Sequence, residues 1–178
     1  AANGLYAKPF LIKEVLGANG GVFYQGSIST QQVFQPNLIS DLTYALEQVP
    51  LRGTASYALA SFGRPSAGKT GTTTNNGAAW YNGYVPQLAT SVAMFRTDAT
   101  LSLNGIGGLP SVTGGTFPAM IWNAYMKNAL KGVPVENFAP PANVNGIDPV
   151  DMTNAVPTLD PALAIPTATP TPSPTKKK

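Results

Sequence analysis

The chain has 178 residues, 43% of them apolar and only 11% charged, which suits one domain with a buried core. Its formal charge of +3 is accounted for by Lys176, Lys177 and Lys178 alone, so a basic nucleic-acid face is not expected. With no Cys and no His, disulfides, thiolate metal sites and imidazole general bases are excluded. Any catalysis must use Lys, Ser, Thr, Tyr or carboxylates, with neither metal nor cofactor. No stretch approaches the roughly 20 apolar residues needed to span a bilayer, and the first residues, Ala1-Ala2-Asn3-Gly4, do not read as a signal peptide.

In chain order, Phe10 to Val15 reads as a strand, Leu16 to Gly21 as a turn and Val22 to Tyr24 as the returning strand, since Asn19-Gly20 favours a hairpin. Leu38, Leu42, Ala45, Leu46 and Val49 recur at helical spacing. They predict a core-facing helix of about three to four turns, with Asn37 as N-cap and Pro50 and Gly53 as stops. A short helical turn is expected between Thr54 and Phe62. Ser66 to Thr73, Ala78 to Tyr84 and Leu88 to Phe95 read as three strands of an antiparallel meander, its first turn signalled by Thr74-Asn75-Asn76-Gly77. After a glycine-rich loop from Asn104 to Gly115, Thr116-Phe117-Pro118 opens a helix carrying Ile121, Trp122, Tyr125, Met126 and Leu130, which Gly132 ends. Ten of the 17 prolines fall from Pro134 onward. Residues 1–135 are therefore expected to form the folded part and 136–178 a Pro/Thr-rich extended or disordered tail.

Gly63 to Thr70 matches the phosphate-cradling pattern G-x-x-x-x-G-K-[ST]. That loop works by starting a helix at the Lys-Ser/Thr pair, so that backbone N–H groups and the helix's positive end face the anion. Here Gly71, three threonines, two asparagines and Gly77 follow, which are poor helix formers. A nucleotide site is thus disfavoured. A bland hairpin strand explains the composition, except that Lys69 then sits in mid-strand, where Lys is uncommon away from an exposed edge. The remaining possibility is a carboxylate-binding strand. Lys69 offers a compact positive charge, Thr70 and Thr72 offer hydroxyl donors, and Gly71 leaves room for a ligand backbone to add along the edge.

Several ordered blocks sharpen that third possibility: Gly68-Lys69-Thr70-Gly71-Thr72-Thr73, Ala79-Trp80-Tyr81-Asn82-Gly83-Tyr84-Val85-Pro86, and Thr113-Gly114-Gly115-Thr116-Phe117-Pro118-Ala119 with Ile121-Trp122. Together with Ala2-Asn3-Gly4 and Pro9-Phe10-Leu11-Ile12, they resemble the transpeptidase domain of class A penicillin-binding proteins over about 130 residues. Ala78 departs from the pattern, since the family often carries a carboxylate there.

The resemblance implies an α/β fold of α+β type, with an antiparallel sheet packed by helices as in penicillin-binding transpeptidases and serine β-lactamases, truncated on its N-terminal side. It implies a D,D-transpeptidase that cross-links peptidoglycan stem peptides through a serine acyl-enzyme. In it Lys69 would support the nucleophile, Thr70, Gly71 and Thr72 would bind D-Ala-D-Ala or a β-lactam, and the Thr72 backbone N–H would serve as an oxyanion donor. The partners implied are stem peptides, β-lactams and the missing N-terminal part of the same protein, at the extracytoplasmic face of the cell membrane, with a membrane anchor in the parent only. Ser27, Ser56 and Ser61 each lack a lysine three residues on, so the family's S-x-x-K and S-x-N boxes are expected outside this chain, which alone would be inactive. The alternative is a noncatalytic cell-wall binding or structural module.

Overall fold

The computed structural model describes residues 1–142. Most of the predicted Pro/Thr-rich tail, residues 143–178, lies outside the described residues.

The first 34 residues form two nested antiparallel pairs. Strand β1 (Leu5–Ala7) pairs with β4 (Thr30–Gln32), and between them β2 (Glu14–Leu16) pairs with β3 (Val22–Gln25). The predicted inner hairpin is present, but its first strand is shorter than Phe10 to Val15. Pairing begins only at Glu14, opposite Gln25, and the apolar run Phe10-Leu11-Ile12 has no strand partner among the described residues. The turn closes where expected: the Gly21 N–H donates to Asn19 Oδ1 at 3.0 Å, and Gly20 adopts φ +78°. Every residue of these four strands is exposed.

Helix α1 spans Pro36–Arg52. Gln35 rather than Asn37 occupies the cap position, because Pro36 can take the first helical position without needing an N–H partner. Pro50 does not stop the helix, which runs on through its last turn to Arg52 before the Gly53 N–H closes on the Val49 carbonyl at 3.2 Å. Its inward side also differs from the expected one. Leu38, Leu42 and Ala45 are exposed, Leu46 and Val49 are half-buried, and the two buried residues are Ser40 and Thr43. The polar residues are turned inward because partners await them: Thr43 Oγ1 and Tyr84 Oη lie 2.9 Å apart, and Ser40 Oγ donates to the Asn37 carbonyl.

The short helix α2 (Ser56–Leu59) leads into the predicted meander, β5 (Ala67–Thr72), β6 (Ala78–Val85) and β7 (Leu88–Phe95), in sheet order β5-β6-β7. Alternation along β6 turns Ala79, Tyr81, Gly83 and Val85 inward and leaves Trp80 and Asn82 exposed. Onto the inward face packs α3 (Phe117–Ala129) through Ala119, Trp122 and Met126. Trp122 is fully buried, stacks obliquely on Phe62 at 5.0 Å and edge-on to Tyr81 at 5.4 Å, and donates Nε1–H to the carbonyls of Gly83 and Thr90. Such a buried indole needs a hydrogen-bond partner, and two are provided. Arg64 ties the far end of α3 to the approach to β5, donating to the carbonyls of Leu130, Val133 and Pro134. A smaller cluster of Ala79, Leu103 and Val112 fills the other end of the sheet.

Thr116 stands at the predicted cap of α3, yet its side chain does not cap the helix. Its hydroxyl donates to the Thr113 carbonyl at 2.7 Å and accepts the Thr113 N–H at 3.0 Å, closing a tight Thr113–Thr116 turn.

Candidate active site

Lys69, Thr70, Gly71 and Thr72 all lie on β5, which is an edge strand among the described residues. The phosphate-loop match therefore folds as an extended strand. Lys69 and Thr70 begin no helix, and Arg64 within the match is engaged with the end of α3.

Antiparallel pairing sets Lys69 opposite Asn82, Thr70 opposite Tyr81, Gly71 opposite Trp80 and Thr72 opposite Ala79. Cross-strand partners share a face. Lys69 and Gly71 thus face away from α3 with Asn82 and Trp80, whereas Thr70 and Thr72 share the side of Tyr81 and Ala79. The phase of the ladder follows from the bond between the Thr73 N–H and the Ala78 carbonyl, at 3.0 Å. Hydrogen-bonded pairs alternate along an antiparallel ladder, so Gly71 and Lys69 also bond to β6. Thr70 and Thr72 instead turn their backbone N–H and C=O groups to the open edge.

Side chains converge on that edge. Lys69 is exposed, but its ammonium bends over the strand to donate to the Thr70 carbonyl at 3.1 Å and towards Thr70 Oγ1 at 3.5 Å. It has no carboxylate partner among the described residues. Thr72 Oγ1 accepts the Gly114 N–H at 3.1 Å, and Thr70 Oγ1 lies 2.8 Å from Thr54 Oγ1. An anion placed along the edge would meet one ammonium, hydroxyls and two backbone N–H groups.

Two contributors escape the sequence reading, Thr54 and the Gly114-Gly115 pair. A Cβ on Gly114 would sit 2.1 Å from the Trp80 carbonyl oxygen and 2.9 Å from the Gly71 nitrogen, and one on Gly115 would sit 2.1 Å from the Thr54 carbonyl oxygen. Neither glycine is in the left-handed region, so space, not φ, dictates glycine here. For the doublet the signal in the sequence was its place in the Thr113–Ala119 block, which carried the resemblance without a role at β5, and Thr54 had no signal at all.

The expectation that no S-x-x-K or S-x-N spacing occurs needs correcting. Ser66 stands three residues before Lys69, Ser173 three before Lys176, and Ser102-Leu103-Asn104 matches S-x-N. Ser173 lies outside the described residues. A serine and lysine three apart meet on one face of a helix, but Ser66 and Lys69 lie on extended chain, where an odd separation sends them to opposite faces. Ser66 is correspondingly buried and Lys69 exposed. Asn104 accepts a hydrogen bond from Asn76 Nδ2, and Ser102 Oγ accepts the Asn104 N–H, so this triple braces the β5–β6 turn. Neither Ser66 nor Ser102 builds a nucleophile beside Lys69 on β5.

Residues 1–100 match the family described as penicillin binding protein transpeptidase domain. Penicillin-binding protein 1A of Mycolicibacterium smegmatis is 33% identical over 164 residues, covering 88% of this chain and 20% of that protein. The chain thus spans about a fifth of the length of the curated relatives it matches. The solved structure of the penicillin-binding protein PonA1 from Mycobacterium tuberculosis superposes with a TM-score of 0.69 at 34% identity, covering 82% of this chain and 39% of that one. PonA1 in complex with penicillin V superposes at 0.67 and 34%, covering 79% and 38%. The mixed helical and antiparallel fold is that of these structures, and the chain belongs to the penicillin-binding protein transpeptidase family, alongside class A relatives of the 1A type.

Proposed function

We propose that this chain supplies the carboxylate-binding and oxyanion wall of a serine acyl-transfer site that cross-links peptidoglycan stem peptides. The observation that carries the reading is the polarity of the β5 edge. An ammonium with no carboxylate partner among the described residues, a Thr72 hydroxyl whose oxygen is already an acceptor, and an outward Thr72 N–H all lie within one short strand. A hydroxyl has one proton and two lone pairs, so Thr72 Oγ1, accepting from Gly114, keeps its O–H to donate. Hydrogen bonds to a charged acceptor are stronger than neutral ones. The terminal carboxylate of D-Ala-D-Ala, or the corresponding carboxylate of a β-lactam, is then held by Thr70 and Thr72. Gly71 keeps the strand accessible, and Lys69 adds positive charge beside the nucleophile.

In this reading the attacking serine belongs to a part of the protein outside this chain. It adds to the substrate carbonyl while the Thr72 N–H stabilises the developing oxyanion. Collapse of the tetrahedral intermediate expels D-Ala and leaves a serine ester, which an amine of a neighbouring stem peptide then attacks. Residues 1–135 act as the C-terminal portion of the transpeptidase domain and 136–178 as a tail, on the extracytoplasmic side of the membrane. PonA1, which binds penicillin V, supports the β-lactam assignment.

The test is acylation of the full-length protein by penicillin, measured for Lys69→Ala and Thr72→Val. Each should slow acylation by roughly 2–3 kcal/mol of activation free energy, about 30- to 150-fold, as for loss of a charge-stabilising contact. Wild-type rates in both would refute the assignment.

A further inference from the structure

We infer that Thr54 is a positioning residue for this site: by donating its hydroxyl to Thr70 Oγ1 it turns the Thr70 proton towards the open edge. The inference rests on the reading of β5 as a carboxylate-binding strand and names a residue outside that strand. Thr54 lies in the link between α1 and α2, 16 residues from Thr70, yet the two hydroxyl oxygens are 2.8 Å apart.

The 2.8 Å contact fits either direction, and the need for a donor at the open edge selects the one in which Thr54 donates. The Lys69 ammonium has only donors, so wherever it meets Thr70 Oγ1 that oxygen must accept. With Thr54 donating as well, both lone pairs of Thr70 are taken and its one proton is left for a ligand. Were the direction reversed, Thr70 would spend its proton on Thr54 and face an incoming carboxylate with an acceptor. The neighbouring Thr72 hydroxyl is set in the same sense by the Gly114 N–H. The doublet joins the two devices, because Gly114 sits directly on Gly71 while Gly115 sits directly on the Thr54 carbonyl, each too close for a side chain. One wedge of backbone therefore locates both orienting groups behind β5.

The experiment compares acylation of the full-length protein by penicillin V and by its methyl ester, which lacks the charged acceptor. Thr54→Val should lower the rate with the acid about fivefold, the size of one net hydrogen bond, and leave the rate with the ester unchanged. Thr54→Ser should behave as wild type. Thr54 is exposed, and Thr54→Ala, which only removes atoms, serves as a second variant with the same expected acid-to-ester ratio as Thr54→Val. If Thr70→Val lowers that ratio while Thr54→Val and Thr54→Ala do not, the role of Thr54 is overturned and the carboxylate site stands. Should Thr70→Val and Thr72→Val also leave the ratio unchanged, the carboxylate site itself is wrong.

Discussion

The two halves of the described chain are held together by different means. Between Ala55 and Leu130 lie both buried clusters, and in the larger one Trp122, Tyr81, Met126 and Val85 are essentially removed from solvent. Residues 1–34 have backbone ladders but no buried residue, and Leu11, Phe23 and Ile28 stand largely in solvent. A two-stranded hairpin is marginal in water without a face to pack on. The lesson is that strand β5, which carries the candidate site, is supported from within this chain, whereas nothing among the described residues buries the nested hairpins. That matches a chain covering 39% of the PonA1 structure.

The sharpest way to break this contrast is Trp122→Ala. Loss of the buried indole should cost about 3–5 kcal/mol, seen as a collapse of the thermal transition, while Phe23→Ala in the isolated chain should move stability by less than about 0.5 kcal/mol. Comparable losses from the two would contradict the division. Hydrogen exchange probes the same division without mutation. Amides of β6, β7 and α3 should be protected and those of β1–β4 should exchange fast in the isolated chain, slowing in the full-length protein.

A smaller effect should come from Tyr81, whose buried hydroxyl has no hydrogen-bond partner among the described residues and whose pKa burial pushes well above the ordinary phenol value. Tyr81→Phe removes a dehydrated polar group and should stabilise by about 1 kcal/mol in a urea titration. The sign with pH follows. A raised folded pKa gives stability that is present below the unfolded value, about 10, and is lost as pH rises above it. The wild type should weaken above that point more than Tyr81→Phe.

The smallest effect should come from Asp98. Hydrogen bonds from the Thr100 hydroxyl and backbone N–H hold its carboxyl below the usual range. Its contribution is present above the unfolded pKa and fades as pH falls through the lowered one. Asp98→Asn should slightly flatten the acid side of the stability profile.

The better-supported half was also the more legible. Thr74-Asn75-Asn76-Gly77 signals the β5–β6 turn, where Asn75 and Asn76 take positive φ, and the spacing of Trp122 and Met126 specifies α3, because local turn chemistry and periodicity suffice there. Strands β1 and β4 escaped notice because Leu5–Ala7 and Thr30–Gln32 bury nothing and so carry no alternation. The inward side of α1 was misread for a related reason. Thr43 turns inward towards a tyrosine hydroxyl 41 residues away, which hydrophobic spacing cannot express. At the site, the Lys69–Thr72 stretch announced itself through its residue types. Thr54 and Gly114 did not, since they join it only through contacts 16 and 42 residues apart in the chain.

The measurement closest to the central claim is covalent labelling by a fluorescent penicillin, run on the 178-residue chain and on the full-length protein that carries it. Labelling of the full-length protein, and none of the chain alone, is the result expected of a cleft wall whose serine lies elsewhere. A stable adduct on a serine of the chain itself, Ser66 included, would contradict it.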